Sequence, residues 1–307
     1  MSRQISDQDL SEWQRQIGDD VAISKLSLPG THNSAASHLS LFSVKCQGAP
    51  ITEQLNHGVR FLDIRVSTPF FNDPKGWFGK NKKDLQVIHG QFPVKLPTPV
   101  KLHGVLDEVY GFLEKHPSES VIVSIKSEGR DKWEGQDFPN LIWDEYVSPK
   151  QDKWYLSPSI PRMGECRGKV ILFRRFGVDD SKKNSYGIDA SWWQYNTTMD
   201  DRGNYVVQDW CEVMKKDDIN TKSQYVKDHL SRAIEYNSTD SQNPKLYVNF
   251  CSGANFFDPD CWPKKVASGL TSLKIEDNYG KGCGIVVLDY IERENWKEVK
   301  TLVSTNY

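Results

Sequence analysis

Short runs rich in Val, Ile, Leu and Phe recur along this 307-residue chain with helical or irregular stretches between them, and that alternation limits the fold more than any other feature. The runs are DVAISKLSL (20–28), GVRFLDIRV (58–66), LQVIHG (85–90), SVIVSIKSE (120–128), GKVILFRRF (168–176), NYVVQDW (204–210), KLYVNFCSG (245–253) and CGIVVLDYI (283–291). Most are apolar almost throughout, the pattern of strands covered on both faces. Between them, Val105, Leu106, Val109, Phe112 and Leu113 share one face of a helix that stops at HPSES. Tyr225, Val226, His229, Leu230 and Ile234 repeat that spacing within 223–236. The chain reads as α/β, a single (β/α)8 TIM-type barrel with distortion or incomplete closure allowed for, and a doubly wound sheet is the alternative. One catalytic domain spans 1–307, with roughly residues 1–19 as a helical or irregular extension.

Composition closes off other classes. Hydrophobic residues at 37%, with 10 Trp, 12 Tyr and 13 Phe, support a packed core rather than disorder. Lys plus Arg number 39 against 41 Asp plus Glu, so no net field recruits nucleic acid or an anionic surface. No apolar run approaches the ~18 residues that span a bilayer. The polar start lacks a signal-peptide pattern, although a mature secreted form would look the same, and secretion is the expectation. The 6 cysteines make no C-x-x-C or zinc spacing and read as buried free thiols, with a Cys251–Cys261 bridge as the alternative. GKGCG at 280–284 precedes a strand rather than a helix and reads as a turn, not a phosphate loop.

The ends of the runs carry the chemistry. They bring His32, then Asp63 with Arg65, His89, Lys126 with Glu128, Arg175, Asp209 and Asp289. In a barrel these ends meet on the face where active sites are built. Singly, each is an ordinary solvated strand end, and His32 within SLPGTHNSAAS reads as a turn histidine. Together, two histidines suit paired acid and base work near neutral pH, and two arginines with a lysine suit a phosphate. A calcium or magnesium centre fits less well: Arg65 follows Asp63 on the same strand face, and Lys126 sits at the corresponding depth on the next strand. The connection 67–84 has no helical pattern, and a loop that long is usually functional.

LPGTHNS, FLDIRV, VIHG, HPSESVIVSIKSE, KVILFRRF, VQDW and VVLDYI occur in the order found in bacterial phosphatidylinositol-specific phospholipase C, and the chain resembles that family from about residue 20 to 300. The resemblance implies a phosphorus–oxygen lyase that cleaves phosphatidylinositol to diacylglycerol and inositol 1,2-cyclic phosphate, then slowly hydrolyses the cyclic ester. It implies that His32 is the general base toward the inositol 2-hydroxyl and His89 the general acid toward the leaving oxygen. Arg65 neutralises phosphoryl charge, Asp289 supports His32, and Lys126, Arg175 and Asp209 hold the inositol ring.

Two positions depart from the bacillus-type pattern. Asn33 stands where that pattern has an aspartate supporting the arginine and the acid histidine. Cys211 stands where it has a tyrosine packing on the inositol ring; strand alternation turns neighbouring Trp210 away. The family's eukaryotic branch also has His-Asn here and uses calcium, so the cofactor expectation is none, with calcium near Asn33, Asp63 and Glu128 as the alternative. The expected partner is phosphatidylinositol at a membrane or micelle surface, bound transiently by a monomer. Membrane-contact candidates are Phe70, Phe71, Trp77 and Phe78, flanked by Lys75, Lys80, Lys82 and Lys83, together with Leu41, Phe42, Phe256 and Phe257; their alternative role is packing the loops onto the barrel. A calcium- or magnesium-assisted phosphodiesterase and a non-catalytic inositol-lipid binder are the competing functions.

Overall fold

The computed structural model describes residues 10–37, 43–69, 84–239 and 241–307. Its strands are β1 (Ser27–Thr31), β2 (Phe61–Ser67), β3 (Gln86–His89), β4 (Phe92–Pro93), β5 (Val121–Ser127) and β6 (Trp154–Tyr155). They continue with β7 (Val170–Arg174), β8 (Ile188–Asp189), β9 (Asp200–Asp201), β10 (Tyr205–Gln208), β11 (Leu246–Phe250) and β12 (Gly284–Leu288). Hydrogen bonding orders them β6-β7-β5-β2-β1-β12-β11-β10-β9, with β8 on β7 and β3 on β2. The pairs from β7 through β10 are all parallel, and among the described residues no backbone ladder joins β7 and β8 to β9 and β10. The fold is therefore a barrel left open along one seam. Rings fill the gap: Phe173 lies edge-on to Tyr205 with centroids 6.0 Å apart, and Trp193 reaches Phe250 at 5.9 Å.

Two expected strands form differently. The run 20–28 gives a 3-10 turn at Ile23–Lys25, and the strand begins only at Ser27 and runs on through Pro29 and Gly30. Gly30 leaves room for a close approach there, since a Cβ would stand 3.0 Å from the Phe61 Cβ of the adjoining strand. The run 85–90 is not a barrel strand. It returns antiparallel to β2, Val66 opposite Val87, and hairpins into β4. A parallel strand needs a crossover element before it, and no helical pattern lies between 67 and 84. The helical readings hold with wider bounds. The helix Leu102–Lys115 buries Val105, Leu106, Val109, Phe112 and Leu113, and Asp218–Asn237 buries Val226, His229 and Leu230. All six cysteines are free, Cys251 and Cys261 included.

The N-terminal ends of the strands are sealed. Leu10, Trp13 and Ile17 are buried, and Trp13 Nε1 donates to the Gly58 carbonyl at 3.0 Å. Arg60, just before β2, donates through Nε and Nη2 to Glu119 Oε2 at 3.0 and 2.7 Å. Its remaining donors reach the Leu55, Val59, Leu10 and Ser11 carbonyls. Asn306 fastens β1: its Oδ1 accepts from the Ser27 N–H at 2.8 Å and its Nδ2 donates to the Ser27 carbonyl. No helix of the described residues is long and apolar enough to cross a membrane.

Candidate active site

The opposite, C-terminal ends of the strands carry a second set of buried titratable groups, the histidines His32 and His89 among them. β1 runs out into Thr31-His32-Asn33-Ser34, a turn fixed on several sides. Ser34 Oγ donates to the Thr31 carbonyl and accepts the Asp63 N–H, and Gln47 Nε2 ties the His32 and Leu288 carbonyls together at 2.8 and 2.9 Å. Asn33 turns the chain with φ +42°, a left-handed conformation that Asn tolerates better than most residues.

Because β1 and β12 are in register from Ser27–Gly284 to Thr31–Leu288, the next residues, His32 and Asp289, face one another. His32 Nδ1 lies 2.9 Å from Asp289 Oδ1, both residues buried. With the Nδ1 proton on that side, Nε2 is the basic nitrogen, and it accepts from Asn33 Nδ2 at 2.9 Å. His89 closes β3 with its ring 5.7 Å from that of His32, edge-on at 86°. Its Nδ1 donates to the Val44 carbonyl at 2.8 Å, with Cys46 Sγ 3.5 Å away. Burial and the charges of His32 and Arg65 push the His89 pKa from 6.5 down to about 4, against the pull of the Val44 carbonyl.

Beside the histidines, Arg65 on β2 stands in register with Lys126 on β5. Asp63 Oδ2 receives Arg65 Nη2 at 3.0 Å and Nε at 3.2 Å, together with the Asn33 N–H at 3.2 Å. Burial alone would raise the Asp63 pKa, but Arg65, His32 and Arg175 hold it below the usual range. Glu128 Oε2 lies 3.4 Å from Arg65 Nη1, and Arg175 Nη1 lies 3.8 Å from Asp63 Oδ1. Burial and the two arginines lower the Lys126 pKa. Arg175, whose pKa falls to about 10 through burial, lays its guanidinium 3.6 Å from the centre of the Trp193 ring. Trp193 Nε1 in turn donates to Asp209 Oδ2 at 3.1 Å.

The geometry therefore gathers His32, Asn33, Asp63, Arg65, His89, Lys126, Glu128, Arg175 and Asp289 into one charged neighbourhood, with Asp209 joined through Trp193. A calcium ion does not fit the residues suggested for it. Asp63 and Glu128 already face the Arg65 guanidinium, so cationic donors stand where calcium requires a shell of oxygens. Cys211 is half-buried, its N–H on Asn196 Oδ1 at 2.8 Å and its thiol pKa raised by burial and Asp209. Trp210 does point away, its ring 5.4 Å from Tyr225 on the Asp218–Asn237 helix. Phe257 is 92% exposed, and Phe256 stacks parallel on the exposed ring of Phe92 at 6.3 Å. Leu41, Phe42, Phe70, Phe71, Trp77 and Phe78 lie outside the described residues.

Residue-by-residue reading of strand ends overlooked Trp193, Tyr195 and Cys46. Trp193 and Tyr195 belong to SWWQYN at 191–196, a dense aromatic stretch that could have flagged them. Tyr195 is 72% exposed beside Cys211 and donates to Glu212 Oε1 at 3.0 Å. Cys46 carries no signal in its sequence surroundings.

An incompletely closed barrel with two histidines facing a cluster of cations defines a class of phosphate-ester enzymes. Residues 26–176 match the X domain of phosphatidylinositol-specific phospholipase C. The 1-phosphatidylinositol phosphodiesterase of Listeria monocytogenes is 25% identical over 312 residues, spanning 94% of this chain and 83% of the relative. That of Staphylococcus aureus strain Newman is 28% identical over 260 residues, spanning 79% and 75%. In three dimensions the fold is similar to phosphatidylinositol-specific phospholipase C from Staphylococcus aureus, in a mutant form, with TM-score 0.79 at 22% identity over 99% of this chain and 100% of the other. The Listeria monocytogenes enzyme superposes with TM-score 0.70 at 21% identity, over 97% and 98%. These likenesses support the phosphatidylinositol-specific phospholipase C family for this chain.

Proposed function

We propose that this chain cleaves phosphatidylinositol to diacylglycerol and inositol 1,2-cyclic phosphate, and then hydrolyses the cyclic ester slowly. The observation that carries this reading is the buried His32–Asp289 pair set across from His89, with Arg65 alongside. His32 Nε2 takes the proton of the inositol 2-hydroxyl, and the freed oxygen attacks phosphorus. Asp289 holds the imidazole in the working tautomer and offsets the charge it gains. His89 protonates the departing glycerol oxygen, and Arg65 faces the charge that builds on the phosphoryl oxygens. Because the nucleophile belongs to the substrate, proximity comes with binding and the protein moves only two protons. In the second step the histidines exchange roles, with water as the nucleophile.

His89 is largely neutral at pH 7 in the free protein, yet an acid must arrive protonated. The phosphodiester supplies the correction: its negative charge favours the imidazolium, so substrate binding loads the acid. Lys126, Arg175 and Asp209 hold inositol hydroxyls, and Trp193 keeps the last two in place. The reaction needs no metal, a reading supported by the arginine already paired with Asp63 and Glu128. Phe92, Phe256 and Phe257 supply an apolar edge for transient contact with the lipid surface, by a secreted monomer. A phosphorus NMR time course on phosphatidylinositol micelles tests the whole. The cyclic diester should appear before inositol 1-phosphate, equally with and without EDTA; inositol 1-phosphate appearing first, or turnover lost in EDTA, would sink the mechanism.

A further inference from the structure

We propose that His32, Cys46 and Asp289 form a site for a thiophilic divalent cation such as zinc, and that filling it silences the enzyme. One ligand atom from each residue, a ring nitrogen, the thiol sulfur and a carboxylate oxygen, lies within 4.8 Å of the other two, and all three residues are buried. Asp289 Oδ2 has no hydrogen-bond partner, so a buried lone pair stands unused beside the cluster. Cys46 is fixed rather than free to swing: its N–H donates to the Ala36 carbonyl at 2.9 Å and its carbonyl accepts from the Tyr290 N–H at 2.7 Å. The 3.5 Å between Cys46 Sγ and His89 Nδ1 is close to the span of roughly 3.6 Å that tetrahedral zinc sets between a sulfur and a nitrogen ligand. His89 could take the fourth position only by giving up its Nδ1 proton and the Val44 carbonyl it donates to, so the site rests on His32, Cys46 and Asp289 alone.

One sulfur, one nitrogen and one oxygen are the donors zinc and cobalt prefer; calcium and magnesium need oxygen shells. On binding, the Cys46 thiol loses its proton to solvent and the thiolate balances one of the metal's two charges. The metal competes for groups the reaction requires. Whichever His32 nitrogen binds it, the base loses either its free lone pair or its Asp289 support. The silencing half rests on the catalytic reading above, whereas the coordination half stands on geometry alone.

The test starts with the metal-free full-length protein titrated with cobalt(II). A thiolate-to-cobalt charge-transfer band in the near ultraviolet is expected, to be abolished by competing zinc, absent in Cys46→Ser and retained in Cys211→Ser. Zinc should also inhibit phosphatidylinositol cleavage reversibly, with EDTA restoring activity, and its half-inhibiting concentration should rise at least tenfold in Cys46→Ser. No band in the unsubstituted protein, or a band surviving Cys46→Ser, overturns the site. A Cys46-dependent band with zinc-insensitive turnover supports the site and overturns the assignment of His32 and Asp289 to catalysis.

Discussion

Arg60 and Arg65 border the same strand, β2, yet they stand in opposite electrostatic circumstances. Arg60, at the N-terminal end, is wholly buried with a carboxylate dedicated to it and backbone carbonyls for its other donors. At the other end Arg65 shares Asp63 with Arg175 and sits beside Lys126. Asn33 Oδ1, Asp63 Oδ1, Glu128 Oε2, Arg175 Nη1 and Asp289 Oδ2 are buried there with no hydrogen-bond partner. Burying polar groups without partners costs free energy, and a region that tolerates it is organised around something other than stability. One end of the sheet is settled; the other is arranged for an anion.

The sharpest break with the comparison comes from the histidines. His32→Ala and His89→Ala should each lower turnover by about 10²–10⁴-fold while leaving circular dichroism and the unfolding midpoint unchanged. A variant that keeps a tenth of the original rate removes that histidine from the mechanism. Glu119→Ala should do the converse, costing about 3–5 kcal/mol by stranding a buried Arg60 charge. Urea titration checks this, and an unshifted midpoint would mean that the sealed end is no better satisfied than the site. Arg65→Lys should keep the charge but lose the paired geometry on Asp63, lowering turnover on the order of 10²-fold with little change in stability.

A titration separates the two ends more finely. The His89 imidazole should titrate near 4 in free protein, read by NMR of the ring. The sign with ligand follows from charge: an anion favours the protonated ring, so inositol 1-phosphate should move the titration upward. Asn33→Asp should also move it upward in free protein, by adding a carboxylate nearby. A ring that titrates at the same pH with and without ligand breaks the loading argument. The smallest effect is expected at the rim: Phe256→Ala with Phe257→Ala should weaken vesicle binding up to about tenfold while leaving activity on a soluble substrate unchanged.

Much of this site was readable from strand ends because parallel register forces them to meet. Arg65 and Lys126 were expected at corresponding depth on separate strands, and they turn out to be direct partners because the run 85–90 does not stand between them. His89 sits on a different element from the one expected: its run folds antiparallel onto β2, but the hairpin still delivers the ring to the face that carries His32. The contact between His32 and Asp289 needs the register of β1 with β12, strands at opposite ends of the sequence, which local patterns do not encode. Trp193 escaped notice because it lies between the two-residue strands β8 and β9, too short to leave a period. Incomplete closure was allowed for by the sequence, but where the seam falls was hidden, since strand count does not say which edges fail to bond.

The pairing of β1 with β12, fastened by Asn306 on Ser27, has a consequence for how the enzyme comes into being. His32 and Asp289 lie 257 residues apart in the sequence, so their contact waits for long-range pairing. Until β12 slots in beside β1, His32 has no Asp289 and no Leu288 carbonyl to anchor its backbone. Arg65 and Lys126 are brought together by β2 and β5 alone, whereas His32 gains its carboxylate only through β12. On the proposed mechanism, the base is therefore organised only once β12 stands beside β1.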